Sequence, residues 1–138
     1  MTTATAQPLV WHTDFDSACR EAAQRDRQVL LVFSGSDWCR PCIQLAREVW
    51  DHPAFAKADA YVCVLADFPQ GRRRRPSAAQ AAHNEALAAR YNPEGEFPLV
   101  LILDPQGQVL AQTGYRPGGA AAYLAHLRAL VPPPDAQR

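Results

Sequence analysis

Net charge, cysteine and long apolar runs are all scarce in this chain. Lysine and arginine total 14 against 14 aspartate and glutamate. No global field therefore draws the protein to nucleic acid, and any such partner would need a local patch. The only candidate patch is the run Arg72 to Arg75. No apolar stretch approaches the ~18 residues that a membrane span requires, so membrane insertion is not expected. The start, MTTATAQPLVWHTDF, lacks both the basic region and the long apolar region of a signal peptide. That favours the cytoplasm, unless an export signal has been removed and a starting Met added, in which case the periplasm is expected. Four cysteines in 138 residues do not make a disulfide-stapled scaffold, because a chain that is 48% apolar builds its own core. Each cysteine needs its own explanation.

What is present reads as one domain over residues 1–138, with its core from about residue 10 to residue 131 and a tail on either side. Thr13 with Asp16 marks a helix start, and Phe15, Ala18, Cys19, Ala22 and Ala23 recur at helical spacing. VLLVFS, ending at Ser34, is apolar on every side and suits a central strand covered on both faces. In CIQLAREVW the stripe Cys42, Leu45, Ala46, Val49 and Trp50 predicts a helix with Cys42 at the head of its buried face. YVCVLADF is a second buried strand that runs into a polar loop, PQGRRRRP. Ser77 and Gln80 form a capping box before an alanine-rich helix through Tyr91. LVLILD, the turn DPQG and QVLAQTG predict a hairpin. A last helix carries Ala120, Tyr123, Leu124, Leu127 and Leu130 to Val131 before PPP ends it. A short edge strand is expected at Leu9 to Trp11. Strands joined by helices predict parallel pairing, and the hairpin adds an antiparallel pair to the same sheet. Sites in such sheets gather at the carboxyl ends of strands, where SGSDWC lies.

Cys39 falls at a helix N-terminus, where unpaired N–H groups and roughly half a positive charge favour the thiolate. One turn later Cys42 lies on the buried side, near enough to close a disulfide. An exposed nucleophile with a buried resolving partner is the arrangement that thiol–disulfide exchange requires. A C-x-x-C pair is also half of a zinc site, but a second close pair of ligands is missing, since Cys19, Cys63, His12, His52, His83 and His126 are scattered. Two inert core cysteines are the other alternative, and the intervening proline suits a turn-to-helix junction better. Cys19 and Cys63 read as small buried hydrophobes with no assigned role. Trp38 is either core or a substrate-facing surface beside the nucleophile. Asp37 either caps the helix or tunes Cys39, and Asp67 is either a strand-end turn residue or a proton acceptor near the site. The arginine run is either a solvated loop or a place where an acidic partner or substrate docks.

W-C-x-P-C after a buried strand, with F-P opening a later apolar strand that turns through DPQG, resembles thioredoxin from residue 10 to residue 131. SGSDWCxxC, DFP at Asp67 to Pro69, NEALAARY, FP and TGYRPGG together resemble the exported bacterial thioredoxin-like disulfide reductases and isomerases. The resemblance implies an α/β thioredoxin fold, with a mixed central sheet and helices on both faces. It also implies a cis peptide before Pro98, across from Cys39, with the Phe97 backbone offered to a substrate strand. Pro41 matches the second linker residue of thioredoxin, which argues for a reductant, while the charge of Arg40 stabilises the Cys39 thiolate and raises the potential. Two positions depart from the family pattern. Phe33 stands where thioredoxins commonly carry a buried acid, which leaves Asp67 or water to take the Cys42 proton. YNPEGEFP is one residue longer than the usual approach to the cis proline.

The expected function is therefore thiol–disulfide exchange, in the direction of reducing protein disulfides through a mixed-disulfide intermediate. The rivals are an isomerase or oxidant using the same pair, and a binding module with little redox role. No bound cofactor and no metal are expected. The expected partners are disulfide-bonded protein substrates and a separate electron-donor reductase or thiol, with the protein itself a monomer.

Overall fold

Asp14 starts the first helix of the computed structural model, which describes residues 10–134. In α1 (Phe15–Arg25) the Asp14 carboxylate accepts from the Ser17 backbone N–H at 2.9 Å and from the Ser17 hydroxyl at 2.7 Å. This corrects the expected start at Thr13 and Asp16 by one residue. A side chain at Asp14 reaches the amide three positions on, whereas Thr13 contributes only its carbonyl, which accepts from the Gln80 amide at 2.9 Å. Phe15, Ala18 and Ala22 are buried as the periodicity predicts, Cys19 is half-buried and Ala23 is exposed.

β1 (Gln28–Ser34) is buried along its whole length and lies inside a four-stranded sheet with the order β2-β1-β3-β4. β2 (Tyr61–Asp67) runs parallel to it, with Ser34 opposite Asp67. β3 (Leu99–Leu103) runs antiparallel to β1, and β4 (Val109–Thr113) closes the expected hairpin. The direction of β3 departs from the rule that helix-joined strands pair in parallel. After α4 (Ala78–Tyr91) the loop from Asn92 to Pro98 delivers the chain to the Ser34 end of β1, so that Leu99 pairs with Phe33. Asn92 holds this longer loop shut, donating to the Glu96 carbonyl and accepting from the Glu96 N–H, each at 2.9 Å.

The predicted helix over Cys42 to Trp50 is two windings. α2 (Arg40–Leu45) is α-helical, and Ala46–Trp50 continues as a wider π turn in which the Asp51 N–H reaches the Ala46 carbonyl at 2.7 Å. Trp50 thereby stands among Trp11, Phe55 and Tyr123, with ring centroids 5.0–5.4 Å away. α3 (Pro53–Ala58) is absent from the sequence reading, since its six residues are too few to show a period. His52 caps it, accepting from the Ala54 N–H at 3.1 Å. α2, α3 and α5 (Gly119–Leu130) cover one sheet face around Leu30, Val32, Val100 and Ile102. α1 and α4 cover the other around Val29, Leu31, Phe33 and Leu101. Val131 is buried as expected, but Leu130, the last residue of α5, is 40% exposed. Of the expected edge strand, Leu9 lies outside the described residues. The pairing falls instead on His12, which bridges Val64 in parallel beyond the β2 edge. Among the described residues no helix is long and apolar enough to cross a membrane.

Asp14→Ala removes both cap bonds and is expected to cost about 1 kcal/mol, read as a lower urea midpoint at neutral pH, while Asp14→Asn restores most of it. The hydroxyl of Ser17, then its N–H, hold the Asp14 carboxyl below its ordinary range. Its contribution is thus complete above the unfolded-state pKa and lost as pH falls through the depressed folded value. The gap between the parent and Asp14→Ala should narrow in acid by the charge-dependent part, and a gap of constant size would show that the charge adds nothing to the cap.

Candidate active site

Because Ser34 and Asp67 end their strands side by side, the chain leaving β1 emerges next to the end of β2. It turns at once. The N–H groups of Trp38 and Cys39 both donate to the Gly35 carbonyl, at 3.2 and 2.9 Å, and α2 starts directly afterwards. Cys39 is the N-cap residue of α2. Its carbonyl accepts from the Ile43 N–H at 3.0 Å, and its Sγ accepts from the Cys42 N–H at 3.4 Å. The two cysteines form a disulfide, with their Cα atoms 5.2 Å apart, and the Gly35 N–H points at the Cys42 Sγ from 3.4 Å. Cys39 was expected to be exposed and Cys42 buried, but at 6% and 3% exposure both are covered. In the oxidised pair the Cys39 sulfur is turned back onto the first turn of α2 instead of outward. Arg40 and Pro41, in that turn, are exposed.

Side chains from the neighbouring strand end hold the turn in place. The Asp67 carboxylate accepts from the Ser36 N–H at 2.9 Å and from the Ser36 hydroxyl at 2.6 Å. Asp37 does not cap the helix, a place that Cys39 takes. Its carboxylate accepts instead from the N–H groups of Gln70 and Gly71, at 2.9 and 2.7 Å. The Trp38 indole N–H donates to the Phe68 carbonyl at 2.7 Å. Trp38 is 41% exposed, so it is surface, and its ring meets Phe97 edge-on at 5.4 Å. Phe68 meets Phe97 at 5.5 Å and lies over Phe33 at 6.4 Å. The Phe97–Pro98 peptide is cis, as the resemblance implied. The rings of Trp38, Phe68 and Phe97 thus come from three loops to one rim, next in the chain to Cys39.

Phe33 is fully buried beneath this rim. On the other side, Cys42 lines a cavity of about 310 Å³ with Ser34, Ser36, Trp11, Trp50 and Asp51. Ser36 therefore touches both the cavity that reaches Cys42 and the Asp67 carboxylate. Asn84, which the sequence reading passed over, is buried and donates to the Asp67 carbonyl at 3.1 Å. The signal for it was a polar residue on the inward face of α4, one turn after Gln80, whose amide bonds its Oδ1 at 2.9 Å. The His83 Nε2 accepts from the Phe15 N–H at 3.0 Å, which ties the same cluster to the start of α1. Cys19 and Cys63 stand apart from the pair as free thiols. Burial pushes both up, Cys63 furthest, so they hold little thiolate at neutral pH.

Residues 10–105 match the family model described as thioredoxin-like. The disulfide bond reductase DsbH of Chlamydia pneumoniae is 32% identical over 128 residues, which is 91% of this chain and 75% of that protein. A solved structure of a DsbH oxidoreductase superimposes with a TM-score of 0.81 at 30% identity, covering 95% of this chain and 90% of that one. A thioredoxin from Thermus thermophilus shares the fold, with a TM-score of 0.63 at 21% identity over 90% of this chain and 88% of its own.

A Cβ placed on Gly35 would lie inside the Trp38 indole. Gly35→Ala should therefore expel the ring and break its bond to Phe68. The expected readout is a red-shifted tryptophan emission, together with a loss of roughly 1–3 kcal/mol of stability. Emission and stability matching the parent would show that the indole is not held against this turn.

Proposed function

The chain belongs to the thioredoxin-like family, and we propose that it reduces protein disulfides with Cys39 as the attacking thiol and Cys42 as the resolving one. It is a thiol–disulfide oxidoreductase similar to a disulfide bond reductase. The observation that carries the assignment of roles is the place of the pair: Cys39 caps α2, while Cys42 lies one turn inside it with the Gly35 N–H on its sulfur.

In the reduced protein the unpaired N–H groups at the start of α2, together with the Arg40 charge, favour the Cys39 thiolate. That thiolate attacks one sulfur of a substrate disulfide. The substrate S–S bond breaks, its other sulfur leaves and takes a proton, and a mixed disulfide joins Cys39 to the substrate. Cys42, as thiolate, then attacks the Cys39 sulfur and expels the second substrate thiol. Two electrons have passed to the substrate, and the pair is left as the observed Cys39–Cys42 bond. A separate dithiol donor must return two electrons to the pair before the next turnover. In this reading Trp38 and Phe97 form the apolar rim that receives the substrate strand, and the backbone beside Pro98 aligns it.

Cys42 must lose a proton in a site where Phe33 accepts none. The cavity beside it has room for water, and Ser36 links that cavity to Asp67, so the proton's exit runs through water and Ser36 to the Asp67 carboxylate.

With Cys42→Ala, mixed disulfides with protein substrates should accumulate through Cys39, and adding Cys39→Ala should abolish them. Partners retained equally without Cys39 would point to a binding module. Single-turnover decay of a Cys39-linked mixed disulfide tests the proton route. In the parent the decay should speed up as pH rises toward the Cys42 pKa. Asp67→Asn still accepts from the Ser36 N–H, so the turn survives, and it should slow the decay at neutral pH by roughly tenfold. A fast decay, independent of pH and unchanged by Asp67→Asn, would remove the Asp67 route.

A further inference from the structure

The arginine run is fastened to the active site. Gln70 and Gly71, the two residues before it, give their N–H groups to Asp37, two positions from Cys39. A Cβ on Gly71 would lie 2.7 Å from an Asp37 carboxylate oxygen, so a larger residue there would push that side chain aside. Phe68, at the head of the same loop, accepts from the Trp38 indole and packs on Phe97. From Gly71 the chain winds into a short 3₁₀ turn, Arg72–Arg74. Arg72, Arg73 and Arg75 are exposed. Among the described residues no carboxylate pairs with these three, whereas Arg25 pairs with both Glu21 and Asp59. In a chain whose charges sum to zero, three exposed cations with no ion pair among the described residues stand in the loop that Asp37 fastens to the redox site.

We propose that Arg72, Arg73 and Arg75 form a docking surface for acidic residues flanking the disulfide of a protein substrate. The proposal rests on the reductase reading and adds a substrate class to it. The loop that carries the cations begins at Phe68, which packs on Phe97, and is bonded to Asp37 beside Trp38, so a substrate strand lying on Trp38 and Phe97 comes close to it. Approach of an acidic segment relieves the mutual repulsion of the arginines and places the scissile bond near Cys39. Exposed pairs of this kind are individually weak and act mostly on encounter, so the surface selects among substrates without altering the exchange chemistry. A lipid surface is the weaker fit, because a basic membrane anchor presents a longer run of cations or an amphipathic basic helix. This patch is a short turn next to the reactive bond.

The test uses two disulfide-bonded peptides identical except that three residues flanking the cystine are Asp in one and Ser in the other. With the full chain at low ionic strength, kcat/KM for the acidic peptide should exceed that for the neutral one by roughly three- to tenfold, carried by KM and not kcat. The ratio should fall toward one at about 0.5 M salt. Combined Arg72→Ser, Arg73→Ser and Arg75→Ser should bring the ratio near one at all salt concentrations, and lysines at the same positions should restore the preference. A parent ratio of one, a ratio that survives the serine variant, or an equal loss on both peptides would overturn the proposal. A ratio of one combined with arginine-dependent binding to phosphatidylserine vesicles would assign the patch to a membrane surface instead. If the parent reduces neither peptide, the reductase reading itself fails, and the docking surface fails with it.

Discussion

Everything at the site depends on two buried strands ending level. β1 and β2 are parallel neighbours in register, so Ser34 and Asp67 finish opposite each other. β1 ends at Ser34 and β2 at Asp67, polar residues at which both chains leave the sheet. The Asp67 carboxylate then grips Ser36 twice. With the turn held, the Gly35 carbonyl collects the N–H groups of Trp38 and Cys39, and Cys39 can begin α2. Shift the register by one residue and the acid, the turn and the helix start would no longer face one another.

The same strand end gathers the surface around the pair. Asp37 takes two backbone donors from the loop after β2, and Trp38 gives its indole proton to that loop. Phe97 arrives through the long loop that Asn92 closes. An apolar rim and a cationic loop are thus fixed beside one disulfide by hydrogen bonds to backbone, which hold direction better than packing alone. Asn84 carries the arrangement back into the body of the protein by binding the Asp67 carbonyl from α4.

Phe33 gives the site the apolar interior expected where the family pattern commonly has a buried acid. A buried acid beneath the cysteines would serve as proton acceptor at the cost of desolvating a carboxylate. Here the aromatic ring packs against Phe68 instead. The polar work moves to the rim of the adjoining cavity, where Ser34, Ser36 and Cys42 meet. Asp67, the acid that Ser36 joins to that cavity by a hydrogen bond, is also the one that shapes the turn, so the proposed proton route and the loop geometry share one carboxylate.

Features written in neighbouring residues were legible in the sequence. Val29 to Ser34 is apolar on both faces and became the central strand; Ser77 capped its helix; Cys39 and Cys42, three positions apart, met as a disulfide. The helix start at Asp14 was missed by one residue, because Thr13 is an equally good cap by type and only the reach of its side chain decides. α3 was too short to show a period. What the sequence could not reveal were bonds between residues far apart in the chain. Ser36 and Asp67 are 31 positions apart, Asp37 and Gly71 34, Asn84 and Asp67 17. The direction of β3 belongs with them. Periodicity and capping are local consequences of backbone geometry, so single residues announce them. Which distant donor meets which acceptor is decided by sheet register and by the loop that returns the chain, and neither leaves a repeating mark in the sequence.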